Sequence, residues 1–273
     1  MRFLLEATGW SEFYKKGFFG YGEKGEFQFF SFWHFLPILL LIAGIVLTYI
    51  FREKIKASKH EKTFRLIMGI VLLLAEMGYF WRVLYVGPGN DSYHTLLTKL
   101  PLQVCEWTCI FAVFMVLTEN KHFFDIDVFV CLTVGLLPLF VPAVITDCGP
   151  KYFRYYQFWL EHLLPIYAVF YMMFIKDFKY DIKKIYKSLI FLFILGCFCI
   201  YFNSIIPDAH YMYLQGDDLG KTLTSILPTN QFLRLLVFLT VVSALYGLEF
   251  LVFFIIRKVR SKKQLKEENI QIE

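Results

Sequence analysis

A cysteine and a histidine on separate apolar stretches are the residues of this sequence best suited to nucleophilic chemistry. Cys105 closes the run Leu100-Pro101-Leu102-Gln103-Val104-Cys105, with Glu106 and Trp107 after it, and His162 ends the run Tyr156-Gln157-Phe158-Trp159-Leu160-Glu161-His162. A thiol becomes a good nucleophile when a base takes its proton, and a neutral imidazole in hydrogen-bond reach is such a base. Glu161 or Glu106 is available to orient a histidine, and Asn203 is available as a neutral donor toward an oxyanion. Other readings of the same residues stay open. Cys105 can be a small packing residue and His162 a buried hydrogen-bonding one. A Cys105–Cys148 disulfide would leave no nucleophile. Cys105 and Cys109 share a helix face, but no His/Cys set stands at matched spacing, so the sequence calls for no metal.

The elements that must position these residues are membrane helices. The chain has 273 residues, of which 58% are hydrophobic and 20% aromatic. With a mean hydropathy of +0.54, that exceeds what a soluble globule carries. It excludes a disordered chain, a secreted disulfide scaffold and a soluble nucleic-acid binder. A hydrocarbon core about 30 Å thick needs roughly 20 apolar residues per helix. Runs of that size lie at Phe32–Phe51, Leu66–Val86, Leu100–Leu117, Val128–Ile145, Tyr156–Ile175, Ser188–Ile206 and Gln231–Ile256. The expected fold is all-α, a polytopic bundle of seven transmembrane helices over residues 32–256. An interfacial segment, 1–31, precedes it, and a basic, then mixed-charge tail, 257–273, follows. The aromatic stretch from Phe27 to Phe35 reads as an interfacial belt, and the first 31 residues lack the pattern of a removable signal peptide.

Charge orients the bundle. The loops after the first, third and fifth runs, together with the tail, hold 18 of the 28 Lys and Arg residues, which places them in the cytoplasm and the N-terminus outside. Cys105 and His162 then enter from the outer side to similar depth, and the two can meet. No Walker loop, dinucleotide fingerprint or HExxH is present, so no cofactor is called for, and Gly87–Asn90 reads as a turn.

Polar residues inside spans are costly and mark function. Glu76 falls near the middle of the second run. Arg82 lies toward its outer end and Arg234 just inside the outer end of the seventh, where each can snorkel or bind a lipid phosphate. Glu249, nearer the cytoplasm, is placed to pair with a basic tail residue.

The Leu-Pro-Leu-x-x-Cys of Leu100 to Cys105, Tyr156-Gln157-Phe158 with His162, and Tyr211-Met212-Tyr213-Leu214 resemble motifs of the YwaF-like family of bacterial multispanning proteins. That family is similar to an animal transmembrane phospholipid acyltransferase. The resemblance covers roughly Phe32 to Ile256 and implies a seven-helix fold with an acyl-carrying cysteine, matched by Cys105, and a fifth-span histidine, matched by His162. Gln103 stands where the family often has His, removing a second base, and His210 stands where Asn is more usual. The function expected is a multi-pass cell-membrane lipid acyltransferase. Cys105 is its nucleophile, His162 its base, Asn203 or a backbone amide its oxyanion donor, Arg82 or Arg234 its phosphate ligand, and Glu76 the floor of its cavity. Membrane lipids are the expected partners. The alternative is a lipid-binding, receptor-like or transport protein that uses the same cavity without chemistry.

Overall fold

The computed structural model describes residues 17–20, 25–86, 100–140, 145, 148–207, 209–216 and 226–272, and every described element is helical. The turn expected at Gly87–Asn90 and most of the N-terminal segment lie outside the described residues. Among the described residues, helices lie within each of the apolar runs, though not over the full length of each. They are α1 (Phe32–Ile50), with a short continuation α2 (Arg52–Lys56); α3 (Glu61–Val86); α4 (Val104–Thr118); α5 (Lys121–Cys131), followed by α6 (Leu137–Phe140); α7 (Phe153–Ile175); α8 (Ile185–Ile205); and α9 (Gln231–Ile272). Five are long and apolar enough to cross a membrane, and the bent pair of Lys121–Cys131 and Val134–Phe140 makes a sixth if it is one span. The protein is a multi-pass membrane protein.

Two elements depart from the simple reading of the apolar runs. The fourth run does not form one straight helix: α5 starts earlier than expected, at Lys121, and the chain bends by 54° before Val134. The break falls at Thr133, whose backbone leaves the helical region at φ −121, ψ −82, and Gly135 and Pro138 just beyond it weaken the case for one continuous helix. The third run gives a helix of only 15 residues, because Pro101 and Gln103 delay its start to Val104. The Gln103 N–H donates to Glu106 Oε2 at 2.8 Å, one arm of a capping box. At about 1.5 Å per residue such a helix is about 22 Å long.

The core sits around α7, which packs on α1, α3, α4 and α5 and buries 61% of its apolar window, against 11% for α1. Small residues set the closest approaches, as membrane helices require. At Gly196 of α8, a Cβ would run into the Leu235 side chain of α9. The aromatic belt divides: Phe27 is buried against Tyr155, Trp159 and His34, while Phe30, Phe32, Trp33 and Phe35 remain exposed. His34 was not singled out by its sequence context, yet it fastens α1. It accepts from the Phe30 N–H at 2.9 Å on Nδ1 and donates from Nε2 to the Leu139 carbonyl at 2.7 Å.

At one end of the bundle the basic loops converge. Arg65 pairs with Glu61 at 3.2 Å and with Glu119 at 2.5 Å, and Lys176 bridges the same two carboxylates at 3.4 and 2.9 Å. Lys56 meets Asp177 at 2.7 Å, while Lys121 and Lys187 both hold Asp125. The Arg65 guanidinium also donates to the Val116 carbonyl, which seals the last turn of α4. Burial alone would raise the Glu119 carboxyl. The Lys176 hydrogen bond and the charges of Arg65, Lys176 and Lys62 outweigh that and hold it below the usual Glu range.

Candidate functional site

Cys105 lies in the first turn of α4, two residues after the capping residue Gln103, and His162 lies two turns into α7. The α4–α7 packing brings them together. A Cys105 sulfur, a Glu161 carboxylate oxygen and a His162 ring nitrogen all lie within 4.8 Å of one another. No disulfide joins Cys105 to Cys148. Cys105 is half-buried, whereas His162 and Glu161 are buried.

The tautomer of His162 follows from its backbone partner. Its Nδ1 donates to the Phe158 carbonyl at 2.8 Å, one turn earlier on α7, which leaves Nε2 with the lone pair. A backbone carbonyl rather than a carboxylate therefore orients the ring on that side. Glu161 is held separately: its Oε2 accepts from Gln157 Nε2 at 2.6 Å and from Arg154 at 3.4 Å. Gln157 also donates to the Ala75 carbonyl of α3 at 2.9 Å and accepts from Arg154, whose guanidinium stacks 4.5 Å over Tyr79. Gln157 and Arg154 had no assigned role in the sequence reading. Their signal was the helical spacing Arg154, Gln157, Glu161, which places them on one face with His162 adjacent.

Glu76, next to Ala75, is buried and neither of its carboxylate oxygens has a hydrogen-bond partner among the described residues. It is in electrostatic contact with Glu161, Glu106 and Arg154, so it belongs to the same group. Glu106 serves the cap of α4.

The remaining expected residues sit at the end of the bundle opposite the basic loops and bind backbone. Gln103 Oε1 accepts from the Met212 N–H at 3.0 Å, and the Tyr211 hydroxyl accepts from the Leu100 N–H at 3.0 Å. Cys199 of α8 donates to the Leu102 carbonyl at 3.3 Å. Asn203, one turn further along α8, grips Tyr211 through both its N–H and its carbonyl. The Leu-Pro-Leu segment and the Tyr211–Leu214 segment are thus one assembly, although the chain separates them by about a hundred residues. Here Met212 takes a left-handed backbone, φ +54, and Gly216 does the same at φ +72 with the His210 ring where a Cβ would stand. His210 packs in this loop.

Arg82 donates to the carbonyls of Phe19 at 3.0 Å and Gly20 at 2.9 Å, tying the N-terminal segment to α3. Arg234 donates to the carbonyls of Pro228, Tyr213 and Gly216 at 3.0, 3.4 and 3.2 Å, using Nε and Nη1. Both arginines hold loops in place at that end of the bundle; among the described residues the bonds of Arg234 use Nε and Nη1. Glu249 has no hydrogen-bond partner among the described residues; the tail side chains proposed to pair with it lie almost wholly outside them.

No curated protein and no solved structure matches this chain. A family model does: that of the TMEM164 family matches residues 29–263, which takes in α1 to α8, most of α9 and every site residue described above. The chain belongs to the TMEM164 family.

Proposed function

We propose that this TMEM164-family protein is a seven-pass membrane acyltransferase that moves an acyl chain between lipids through Cys105, with its N-terminus outside and the site near the outer leaflet. The observation that carries the reading is the meeting of thiol, imidazole and carboxylate within 4.8 Å. The free lone pair of His162 Nε2 supports it, because a thiol needs a neutral base beside it. Seven passes follow if the short α4 and the bent α5–α6 pair each count as one crossing.

In the first half-reaction His162 Nε2 takes the thiol proton and the sulfur attacks the carbonyl carbon of a lipid ester. The C–S bond forms, the ester C–O bond breaks, and the proton passes from the imidazolium to the departing hydroxyl. In the second half, His162 takes a proton from the hydroxyl of a lysolipid, whose oxygen attacks the thioester; the C–O bond forms and the thiol leaves with that proton. The order is ping-pong.

Asn203 is already bonded to Tyr211, so the backbone N–H groups at the start of α4 are better placed to receive the oxyanion. The first N–H groups of a helix have no partner within it, and its positive end favours negative charge. Asn203 then acts by holding the outer loop over that helix start. Arg234, through Nη2, and the charge of Arg82 attract the lipid phosphate. Glu161 and Glu106 support the imidazolium and the cap, Gln103 ties the cap to the loop, and Glu76 forms the floor.

A second reading has its own support. A thiolate, an imidazole and a carboxylate within 4.8 Å, with Glu76 unpartnered beside them, are also a donor set for zinc. Intact-protein mass spectrometry after incubation with phospholipid separates the two. An acyl-sized mass increase that maps to Cys105 supports transfer. Stoichiometric zinc without an adduct supports the metal site, and lipid retention with neither supports a binding or receptor-like protein.

A further inference from the structure

The seam between α3 and α7 holds a buried amide each of whose polar atoms is engaged. Gln157 is 1% exposed, so its nitrogen and oxygen must find partners within the bundle. Nε2 donates to the Ala75 carbonyl of α3 at 2.9 Å and to Glu161 Oε2 at 2.6 Å, and Oε1 accepts from Arg154 Nη1. These partners fix which end of the amide faces which neighbour, because only the nitrogen can donate to a carbonyl and a carboxylate. Arg154 is held in turn: its guanidinium lies 4.5 Å over the Tyr79 ring of α3, and Nη1 reaches Glu161 Oε2 at 3.4 Å. Gly78 admits this approach, since a Cβ there would meet Phe153 Cζ at 3.0 Å and Gln157 Cγ at 3.8 Å.

Both donors take the same oxygen of Glu161. Oε2 accepts from Gln157 and from Arg154, and no hydrogen bond among the described residues uses Oε1. Glu161 is also the carboxylate that shares a 4.8 Å cluster with the Cys105 sulfur and a His162 ring nitrogen. A long acidic side chain left to itself samples several rotamers. Here one oxygen is pinned by two donors on its own helix, and the amide that pins it is fastened to a carbonyl on the next. Arg154 supplies the counter-charge that a buried carboxylate requires.

We propose that Gln157 and Arg154 are positioning residues of the Cys105–His162 site: they act through Glu161, holding its Oε2 so that the carboxylate stays beside the imidazole while His162 carries the thiol proton. The kinetic consequence rests on the acyl-transfer reading; the effect on the reactivity of Cys105 needs only the thiol and the imidazole. An imidazolium formed in a buried site needs an anion close by, and one fixed in advance serves without reorganisation. A brace whose sole task was to fasten α7 to α3 would need only the bond from Gln157 to Ala75. The second Nε2 bond and the Arg154 ion pair run to the carboxylate instead.

Two measurements on the purified full-length protein in detergent test this, with chelator present so that no metal masks the thiol. One is the rate at which iodoacetamide alkylates Cys105 at a fixed pH, read by peptide mass mapping. The other is acyl exchange between phospholipid and lysophospholipid in mixed micelles. Gln157→Met, which keeps the side-chain length and removes both donors, should slow alkylation about tenfold or more. It should lower kcat by a like factor and leave KM for the lipid unchanged. Arg154→Lys, which keeps the charge, should recover most of what Arg154→Met loses, and this half-buried position carries the test if Gln157→Met does not fold. Gln157→Met combined with Glu161→Gln should be no slower than Glu161→Gln alone, because a residue that acts through Glu161 then has nothing to act on. A further loss in that double variant overturns the proposal. So does a lower melting temperature with wild-type alkylation and kcat per folded molecule, the mark of a purely structural brace. If the wild type shows no exchange, the acyl-transfer reading fails and the alkylation rates alone decide on the brace. If the wild type exchanges and both Met variants alkylate and exchange at its rate, the brace fails and the reading stands.

Discussion

Asn203 holds Tyr211 from both sides of one residue: its Oδ1 accepts from the Tyr211 N–H at 2.8 Å, and its Nδ2 donates to the Tyr211 carbonyl at 3.2 Å. This clasp, with Gln103 on the next N–H, fixes the outer loop against the start of the helix that carries Cys105. Truncating Asn203 to Ala should leave a buried N–H and a buried C=O unsatisfied, each worth about 1 to 3 kcal/mol. A clear drop in melting temperature in detergent is expected, with Asn203→Asp falling between the two because it keeps the acceptor. A wild-type melt in Asn203→Ala would refute the clasp.

Cys105→Ser and His162→Ala should each abolish lipid acyl exchange while leaving the melting temperature near that of the wild type. The double variant should lose no more than either single one, because members of one catalytic unit fail together. Exchange retained in full by Cys105→Ser would exclude the covalent route.

Arg234→Ala should act differently from both. It frees three loop carbonyls and removes a charge, so the Michaelis constant for an anionic lipid should rise with part of the turnover kept. Steady-state rates at several lipid fractions in mixed micelles read this directly, and a loss confined to turnover would count against a role at the phosphate.

Sidedness is testable with single cysteines in a background lacking exposed thiols. A cysteine at Lys151, exposed in the loop before α7, should react with an impermeant thiol reagent in intact cells, and one at Lys59, in the loop after α2, should resist it. The reverse pattern would move Cys105 to the inner leaflet.

The ion pairs around Glu119 predict an acid sensitivity. Its folded-state pKa lies below the ordinary value of 4.5, so the group adds stability that is complete above that value and is lost as pH falls through the depressed one. In Glu119→Gln the fall of melting temperature across that acid window should be shallower than in the wild type. A parallel pair of curves would show that the Arg65 and Lys176 pairs add nothing there.

The helices were legible because apolar runs of membrane length leave few alternatives, and the meeting of Cys105 and His162 was legible because both enter from the same side at like depth. Other features were not. Pro138 announces a kink, but its 54° angle depends on what packs against the break. Asn203 read as an oxyanion donor, Gln103 as polar support, and Arg82 and Arg234 as phosphate ligands. Their backbone partners lie in irregular segments, and a carbonyl oxygen has no signature in a sequence. The difference between Asp125 and Asp127 was hidden for a related reason: in Lys121-His122-Phe123-Phe124-Asp125-Ile126-Asp127 the two aspartates look alike. Only the fold separates the paired one from the buried one, whose carboxylate oxygens lack a hydrogen-bond partner among the described residues.

On the acyl-transfer proposal, the shortness of α4 has a consequence for which bond of a lipid would be attacked. A helix of 15 residues is in hydrophobic mismatch with an ordinary bilayer, so where it crosses, either the membrane thins or one end of the helix sits below an interface. In the second arrangement its capped start and the irregular Leu100–Gln103 segment would lie below the headgroup plane, where the Tyr211 hydroxyl and the Met212 N–H pair with their polar groups. Depth then acts as a ruler. A phospholipid standing upright beside the protein keeps its phosphate at the rim and hangs its glycerol esters a few ångströms lower, level with the thiol. Regioselectivity would come from the vertical offset between helix and membrane before any side chain makes a choice.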